Sequence, residues 1–285
     1  MRFTIAHRTL YRYPAPVHES HTILHLQPRS DLTQYCTRFS VDVRPRAQIF
    51  AYADRFANDV QHFVVPQEHE LLEIVTRSEV ATVRGDATAP SPLPRRLIDD
   101  DPARDAFYDF LHPSEYVSID SVLDGLAGRT GTPGPGDDAV AWFWDAAMAV
   151  HDALAYDTSA TSVHSTIAHA LEVGGGVCQD FAHVLIALRR RAGIPARYVS
   201  GYVFGGSDVL GAEASHAWCE AYLGPHGWIG LDATNQTWIG DTFVRVAVGR
   251  DYADVSPVRG IFRGAGEAAL SVDVDMEARA HPQPQ

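Results

Sequence analysis

The sequence predicts an α+β protein in which an N-terminal antiparallel, β-sandwich-like domain precedes a domain where a helix packs on an antiparallel sheet. Three observations support this prediction. Apolar residues alternate at period two through residues 1–83, which is typical of half-buried strands. Two later segments, 139–150 and 178–192, place apolar residues at helical spacing. Strand-like runs then return within residues 196–232.

The composition is that of a folded chain with an acidic surface. The 285 residues are 46% hydrophobic and 21% charged, which allows a buried core. The net charge of −13 disfavours nucleic acid and anionic membranes as partners, since both reward clustered positive charge. No apolar run is long enough to span a membrane, and the first residues lack the apolar core of a signal peptide. We therefore expect a cytoplasmic protein.

The predicted domains are residues 1–100, 101–263 and 264–285. The first is β-rich, with alternating residues at Phe3 and Ile5 and again at Val41 and Val43. Arg, Gly, Pro and Asp then dominate residues 84–105, which favours extended or turn conformations in solvent and marks a boundary. At the other end, residues 268–277 alternate and predict a terminal strand that is free to join either domain.

Two helices are predicted in the second domain. Asp137 follows a Gly- and Pro-rich stretch and is placed to cap a helix with Trp142, Phe143 and Val150 on its apolar face. The second helix begins at Cys178 and ends before Gly193, which has the role of a C-cap glycine. Strands are then predicted over residues 196–204, 213–223 and 228–232, the last two joined by a turn at 224–227.

Cys178 stands where a cysteine is reactive. Its position at the start of a helix favours the thiolate form, because the N-terminal end of a helix carries partial positive charge. The preceding glycines allow a substrate to approach the backbone, and unpaired N–H groups of the first turn are donors for an oxyanion. The other two cysteines, Cys36 and Cys219, are interpreted as packed, reduced thiols, since three cysteines without short repeating spacing indicate neither a disulfide framework nor a zinc knuckle.

A reactive cysteine needs a base, and His216 is the candidate. Period two puts His216, Trp218 and Glu220 on one face of the predicted strand. A hairpin about residues 224–227 then places Asp232 opposite Trp218 and diagonally beside His216, within reach of a hydrogen bond. His183 follows Cys178 on the same helix but points well away from it. Asp180, in the first turn, is explained by helix stability alone.

Four segments resemble the bacterial transglutaminase-like proteins of the papain-like thiol fold. They are Gly-Val-Cys-Gln-Asp-Phe-Ala-His, Gly-Ile-Pro-Ala-Arg-Tyr-Val-Ser-Gly-Tyr, Ala-Ser-His-Ala-Trp-Cys-Glu and Gly-Trp-Ile-Gly-Leu-Asp-Ala-Thr-Asn, in the family's order. The detailed resemblance covers residues 155–263, and the β-rich start is similar to the family's N-terminal region. It implies a catalytic triad of Cys178 as nucleophile, His216 as base and Asp232 as orienting carboxylate. Ala233 departs from the Pro that the family often has there.

The resemblance implies acyl transfer through a thioester, with peptides or proteins as substrates and no cofactor or metal. Hydrolysis by water is the favoured outcome, and transfer to an amine as in a transglutaminase is the first alternative. A non-catalytic peptide-binding scaffold is the second, and the presence of all three triad residues disfavours it. A zinc protease is rejected, because Glu73 stands where the motif beginning at His69 requires a second histidine. Oligomeric state, physiological substrate and a further oxyanion donor stay open.

Overall fold

The computed structural model of the chain describes residues 1–206, 208–212, 214–264 and 266–279. Within these ranges the strands form a seven-stranded antiparallel sheet, a five-stranded antiparallel sheet and a short parallel pair. The strands are β1 (Arg2–Leu24), β2 (Gln34–Arg44), β3 (Ile49–Ala53), β4 (Asp59–Val65), β5 (His69–Thr82), β6 (Ala155–Tyr156), β7 (Gly175–Gly176), β8 (Ala196–Val203), β9 (His216–Tyr222), β10 (Trp228–Asp232), β11 (Thr237–Trp238), β12 (Phe243–Gly249), β13 (Val258–Arg263) and β14 (Ala269–Ala278). The α-helices are α1 (Arg96–Asp99), α2 (Asp124–Thr130), α3 (Ala139–Ala153), α4 (Ile167–Val173), α5 (Cys178–Arg191) and α6 (Tyr252–Val255), and short 3-10 helices cover Pro102–Phe110, Ser121–Leu123 and Gly224–His226.

The N-terminal sheet is organised around the long strand β1. Its first half lies between β5 and β14, and its second half lies between β4 and β13. The register against β5 shifts between Arg12 and Val17, where β1 passes from one half of the sheet to the other. The sheet therefore curls into two halves that share a strand, as the predicted sandwich-like domain requires. The terminal strand β14 joins this sheet. Its alternating sequence had predicted a strand but not which domain it would join.

The second sheet has the strand order β11-β10-β9-β8-β12, and α5 packs against it. Trp228 pairs with Tyr222 and Leu231 pairs with Cys219, which is the predicted hairpin register. Helix α5 begins at Cys178 as predicted, and Gly193 with φ +73° follows its end. The two sheets share a core: Phe3 and Ile5 of β1 belong to the same buried cluster as Tyr198 and Tyr202 of β8.

Several local predictions were wrong. Residues 96–99 and 102–105, predicted to be extended or in turns, are helical, because Ile98 is buried and Asp101 caps the 3-10 helix that covers Pro102–Phe110. Asp138 rather than Asp137 caps α3, accepting a hydrogen bond from the Val140 N–H at 2.9 Å. Helix α4 was not predicted at all. The strand predicted from residue 213 begins at His216, and residue 213 itself lies outside the described residues.

Within the described part of the chain, no helix combines the length and apolar character needed to cross a membrane. The domain boundary near residue 100 stays a prediction. Residues 83–93 have no regular secondary structure. Pairs of side-chain-to-backbone hydrogen bonds connect the N-terminal region to the second sheet. In these, the Gln34 side chain bonds both backbone groups of Arg245, and Asn58 does the same to Val248.

Candidate active site

Cys178 is held at the start of α5 by the loop that precedes it. Gly176 pairs with Tyr156 in the parallel β6–β7 pair, and the Asp180 carboxylate accepts hydrogen bonds from the Val177 N–H at 2.8 Å and the Thr161 hydroxyl at 2.7 Å. Asp180 is thus a helix-capping residue, as its position in the first turn predicts. A β-carbon on Gly176 would lie 2.5 Å from Asp180 Oδ2, so glycine is needed there. These contacts fix the backbone that carries the thiol.

His216 and Asp232 form a buried pair across the β9–β10 hairpin. The Nε2 atom of His216 lies 2.7 Å from Asp232 Oδ2, and the side chains are 0% and 1% exposed. The other carboxylate oxygen of Asp232 accepts a hydrogen bond from the Thr234 N–H at 2.9 Å. Burial by itself raises the pKa of Asp232, but the charge and hydrogen bond of His216 outweigh it, so the pKa lies below its ordinary value. The carboxylate therefore stays ionised beside the imidazole.

The remaining ring nitrogen of His216 faces the Cys178 side. His216 Nδ1 is buried and has no well-formed hydrogen bond in the part of the chain that the structure describes. Burial lowers the pKa of His216, but the charges of Asp232 and then Cys178 raise it more, to about 10. The structure thus pairs His216 with Asp232 and leaves the Cys178 side chain near enough to influence the imidazole. A histidine that a carboxylate orients beside a cysteine is the arrangement that activates a thiol nucleophile.

Two residues of this site were missed in the sequence. Asn235 donates from Nδ2 to Asp232 Oδ2 at 2.8 Å, and its side chain also bonds both backbone groups of Leu210 at 2.9 and 3.1 Å. It therefore ties the carboxylate to the loop between β8 and β9. Gly211 in that loop has φ +83°, and a β-carbon there would lie 2.5 Å from His216 Nδ1. In the sequence, the only indication of these two residues was an amide side chain, Asn235, three positions after Asp232.

A cavity of about 630 Å³ lies on the far side of Gly211, the glycine whose added β-carbon would meet His216 Nδ1. Cys178, His216 and Asp232 are not among its lining residues, but Tyr156 is, and the pKa of Tyr156 is raised first by burial and then by the charge of Cys178. The strand β14 and the β8–β9 loop form much of its wall, since Val274, Met276 and the glycines of the loop are among its lining residues. The cavity therefore lies between the N-terminal sheet and the second sheet.

The other candidate side chains lie elsewhere. Cys219 is fully buried on β9, and burial raises the pKa of its thiol to about 12. Cys36 is half-buried on β2, and burial raises its pKa to about 11. His183 accepts a hydrogen bond from the Tyr252 N–H at 3.2 Å, and burial lowers its pKa to about 4. Ala233 keeps the strand end in place through its carbonyl, which bonds His151 Nδ1 at 3.0 Å.

Comparison with known proteins identifies the family. Residues 3–81 match the bacterial transglutaminase-like N-terminal region, and residues 134–233 match the transglutaminase-like superfamily. The uncharacterized protein ML0607 of Mycobacterium leprae is 32% identical over 279 residues, which are 96% of this chain and 98% of that protein.

Two further similarities differ in extent. The crystal structure of a candidate cysteine protease from Cytophaga hutchinsonii superposes with a TM-score of 0.78 at 22% identity, covering 100% of this chain and 92% of that one, and so shares its fold. A protein-glutamine gamma-glutamyltransferase of Pseudomonas aeruginosa is 31% identical over 94 residues, 30% of this chain and 14% of that protein. With its two family regions and a full-length relative, this chain belongs to the transglutaminase-like superfamily, with the bacterial N-terminal region of that family.

Proposed function

We propose that this chain is a cysteine-dependent acyl-transfer enzyme that hydrolyses amide bonds of peptides or proteins. The observation that carries the proposal is the buried 2.7 Å hydrogen bond between His216 Nε2 and Asp232 Oδ2, with the Cys178 thiol beside the same imidazole. A carboxylate that orients a histidine next to a thiol at a helix start is the arrangement that activates a cysteine nucleophile.

The reaction proceeds in two halves. The Cys178 thiolate attacks the carbonyl carbon and forms a C–S bond, while the His216 imidazolium gives its proton to the leaving amine as the C–N bond breaks. His216, now neutral, takes a proton from water, and the resulting attack cleaves the thioester and releases the acid. In both halves Asp232 keeps the imidazole in one tautomer. The backbone N–H of Cys178, in the first turn of α5, has no intrahelical acceptor and serves as an oxyanion donor.

Hydrolysis requires that water reach the thioester. The cavity whose lining includes Gly211 and Tyr156 has a volume of about 630 Å³, within the range of ligand-binding clefts. Such a cleft has room for a peptide segment together with water. Transfer of the acyl group to an amine is the second candidate, favoured by the local similarity to the Pseudomonas aeruginosa gamma-glutamyltransferase. A scaffold without chemistry gives no reason for a buried imidazole-carboxylate pair beside a thiol.

The test is mass spectrometry of glutamine-containing peptides incubated with the protein, with and without a primary amine. We expect cleaved or deamidated peptide with the wild type and none with Cys178→Ala, while the matched variant Cys219→Ala keeps full activity. Amine incorporation that depends on Cys178 would instead assign the transferase reaction. Turnover that persists in Cys178→Ala would contradict the proposal, and a wild type without turnover on a broad peptide panel would favour the scaffold.

A further inference from the structure

The terminal strand β14 has one open edge. Among the described residues it pairs with β1 alone, in a register that sets Phe3 opposite Ala278. Continuing that register, the Arg279 N–H donates to the Arg2 carbonyl at 2.8 Å. In an antiparallel ladder hydrogen-bonded and non-hydrogen-bonded pairs alternate. The even-numbered residues of β14 are therefore the non-hydrogen-bonded ones, and their N–H and C=O groups point away from β1.

The open edge runs along the cavity beside the candidate active site. Val274 and Met276, whose backbone groups point away from β1, both line it. The lining also contains Gly205 and Gly206, which have no side chains to block an approaching backbone. It includes Gly211 as well, where an added β-carbon would lie 2.5 Å from His216 Nδ1, so this part of the lining backs onto the imidazole. A chain lying along this edge therefore leads to the reacting groups.

We propose that the substrate is an extended peptide that binds as an additional strand on the open edge of β14. This inference rests on the proposed acyl-transfer function and names its substrate class. Unpaired N–H and C=O groups on an edge strand are a template for another strand, and such pairing binds peptides through their main chain. In this arrangement the N-terminal sheet is part of the substrate site, and Val274 and Met276 supply its hydrogen bonds.

The acidic side chains along β14 favour binding of some peptides over others. Asp273, Asp275 and Glu277 alternate along β14, are exposed, and share the face opposite to Val274 and Met276. Side chains on adjacent strands lie about 5 Å apart, so like charges oppose pairing and opposite charges favour it. A second copy of β14 is thus repelled, which protects the edge from self-association. A peptide with Lys or Arg at alternate positions is attracted.

The test measures the rate at which Cys178 is alkylated by two probes, followed by intact mass. One probe is a pool of acetyl-tetrapeptide chloromethyl ketones, whose chloride the Cys178 sulfur displaces as the C–S bond forms; the other is iodoacetamide. Val274→Pro removes one N–H from the edge without disturbing the β1 ladder. We expect it to slow labelling by the peptide pool about fivefold, as the loss of one hydrogen bond implies, with the iodoacetamide rate unchanged.

A matched variant separates this part of the edge from other effects. Leu270→Pro removes an N–H at the same kind of position about 13 Å farther along the strand, away from the cavity lining. It should retain the peptide-pool rate. Equal rates in Val274→Pro and the wild type would overturn the inference. Failure of iodoacetamide to label Cys178 would instead contradict the proposed nucleophile, so the two failures are distinct.

The charge preference is tested with two sub-pools. Tetrapeptides bearing Lys should label Cys178 about threefold faster than those bearing Glu, and Asp275→Asn should reduce that ratio. Faster labelling by the Glu-bearing pool would overturn the acidic-edge part of the inference.

Discussion

The Nε2 atom of His216 and the Oδ2 atom of Asp232 lie 2.7 Å apart where neither side chain reaches solvent. An unpaired charge at such depth costs several kcal/mol, so each group keeps the other ionised. The hairpin that carries them fixes their separation, because β9 and β10 are joined by the short turn at residues 224–227. The pair is therefore rigid, and its protonation behaviour should respond sharply to substitution.

Asp232→Asn should change the pH profile as well as the rate. Burial lowers the pKa of His216, and Asp232 is the largest of the influences that raise it to about 10. The imidazolium needed to protonate the leaving group is thus present below pH 10 in the wild type and lost above it. With a neutral amide, the alkaline limb of kcat/KM should move to lower pH, and kcat should fall by roughly 10²–10⁴-fold. An unchanged alkaline limb in the variant would contradict the assignment.

Gly211→Ala should inactivate the protein without unfolding it. The added β-carbon would lie 2.5 Å from His216 Nδ1, the ring atom on the Cys178 side, at a backbone φ of +83° that disfavours alanine. Displacing the imidazole by about 1 Å is expected to lower kcat about a hundredfold. Gly85→Ala is the matched control, since it imposes a similar backbone strain at φ +80° and a β-carbon there has no neighbour within 4 Å. Steady-state kinetics and circular dichroism of both variants check this; equal activity of the two would disprove it.

Asn235→Ala should lower kcat/KM about tenfold, because Asp232 loses a buried hydrogen-bond donor and Leu210 loses both bonds that hold its loop. A positioning role has a further signature. The Asn235 hydrogen bond is one of the influences that lower the pKa of Asp232, so its loss should move the acid limb of kcat/KM to higher pH. Gln236→Ala, at the exposed neighbouring position, should leave the profile as in the wild type. A fall in melting temperature with an unchanged pH profile of kcat/KM would show that Asn235 has only a structural role.

The helix of Cys178 and the hairpin of His216 and Asp232 were predictable because local periodicity and a short turn determine them. Periodicity alone fixes which face a strand residue takes, and the turn fixes the register. Asn235 and Gly211 were not predictable, since their roles arise from a loop that folds back over the hairpin. The partner of β14 was equally hidden: alternation predicts a strand but carries no information about which distant strand it joins. The Asp137 prediction failed by one residue, the usual uncertainty of a helix end.

Glu220 should be a determinant of stability. It is fully buried on β9 and bonds Arg197 and Arg245, each through a shortest contact of 2.6 Å, while Arg245 also pairs with Asp31 of the N-terminal region. Removing the charge of Glu220 leaves Arg197 without its buried carboxylate and Arg245 with Asp31 alone. Glu220→Gln should therefore lower the free energy of unfolding by about 3–5 kcal/mol in urea titrations.

The pH dependence of that loss has a definite sign. Burial raises the pKa of Glu220, but Arg245 and Arg197 lower it further, from 4.5 to about 2. A depressed pKa contributes stability that is complete above pH 4.5 and disappears as the pH falls toward 2. The difference between wild type and Glu220→Gln should thus be largest near neutral pH and shrink in acid. Glu172→Gln, on the exposed side of α4, should match the wild type throughout. A difference that grows in acid would show that the network does not stabilise the folded chain through the charge of Glu220.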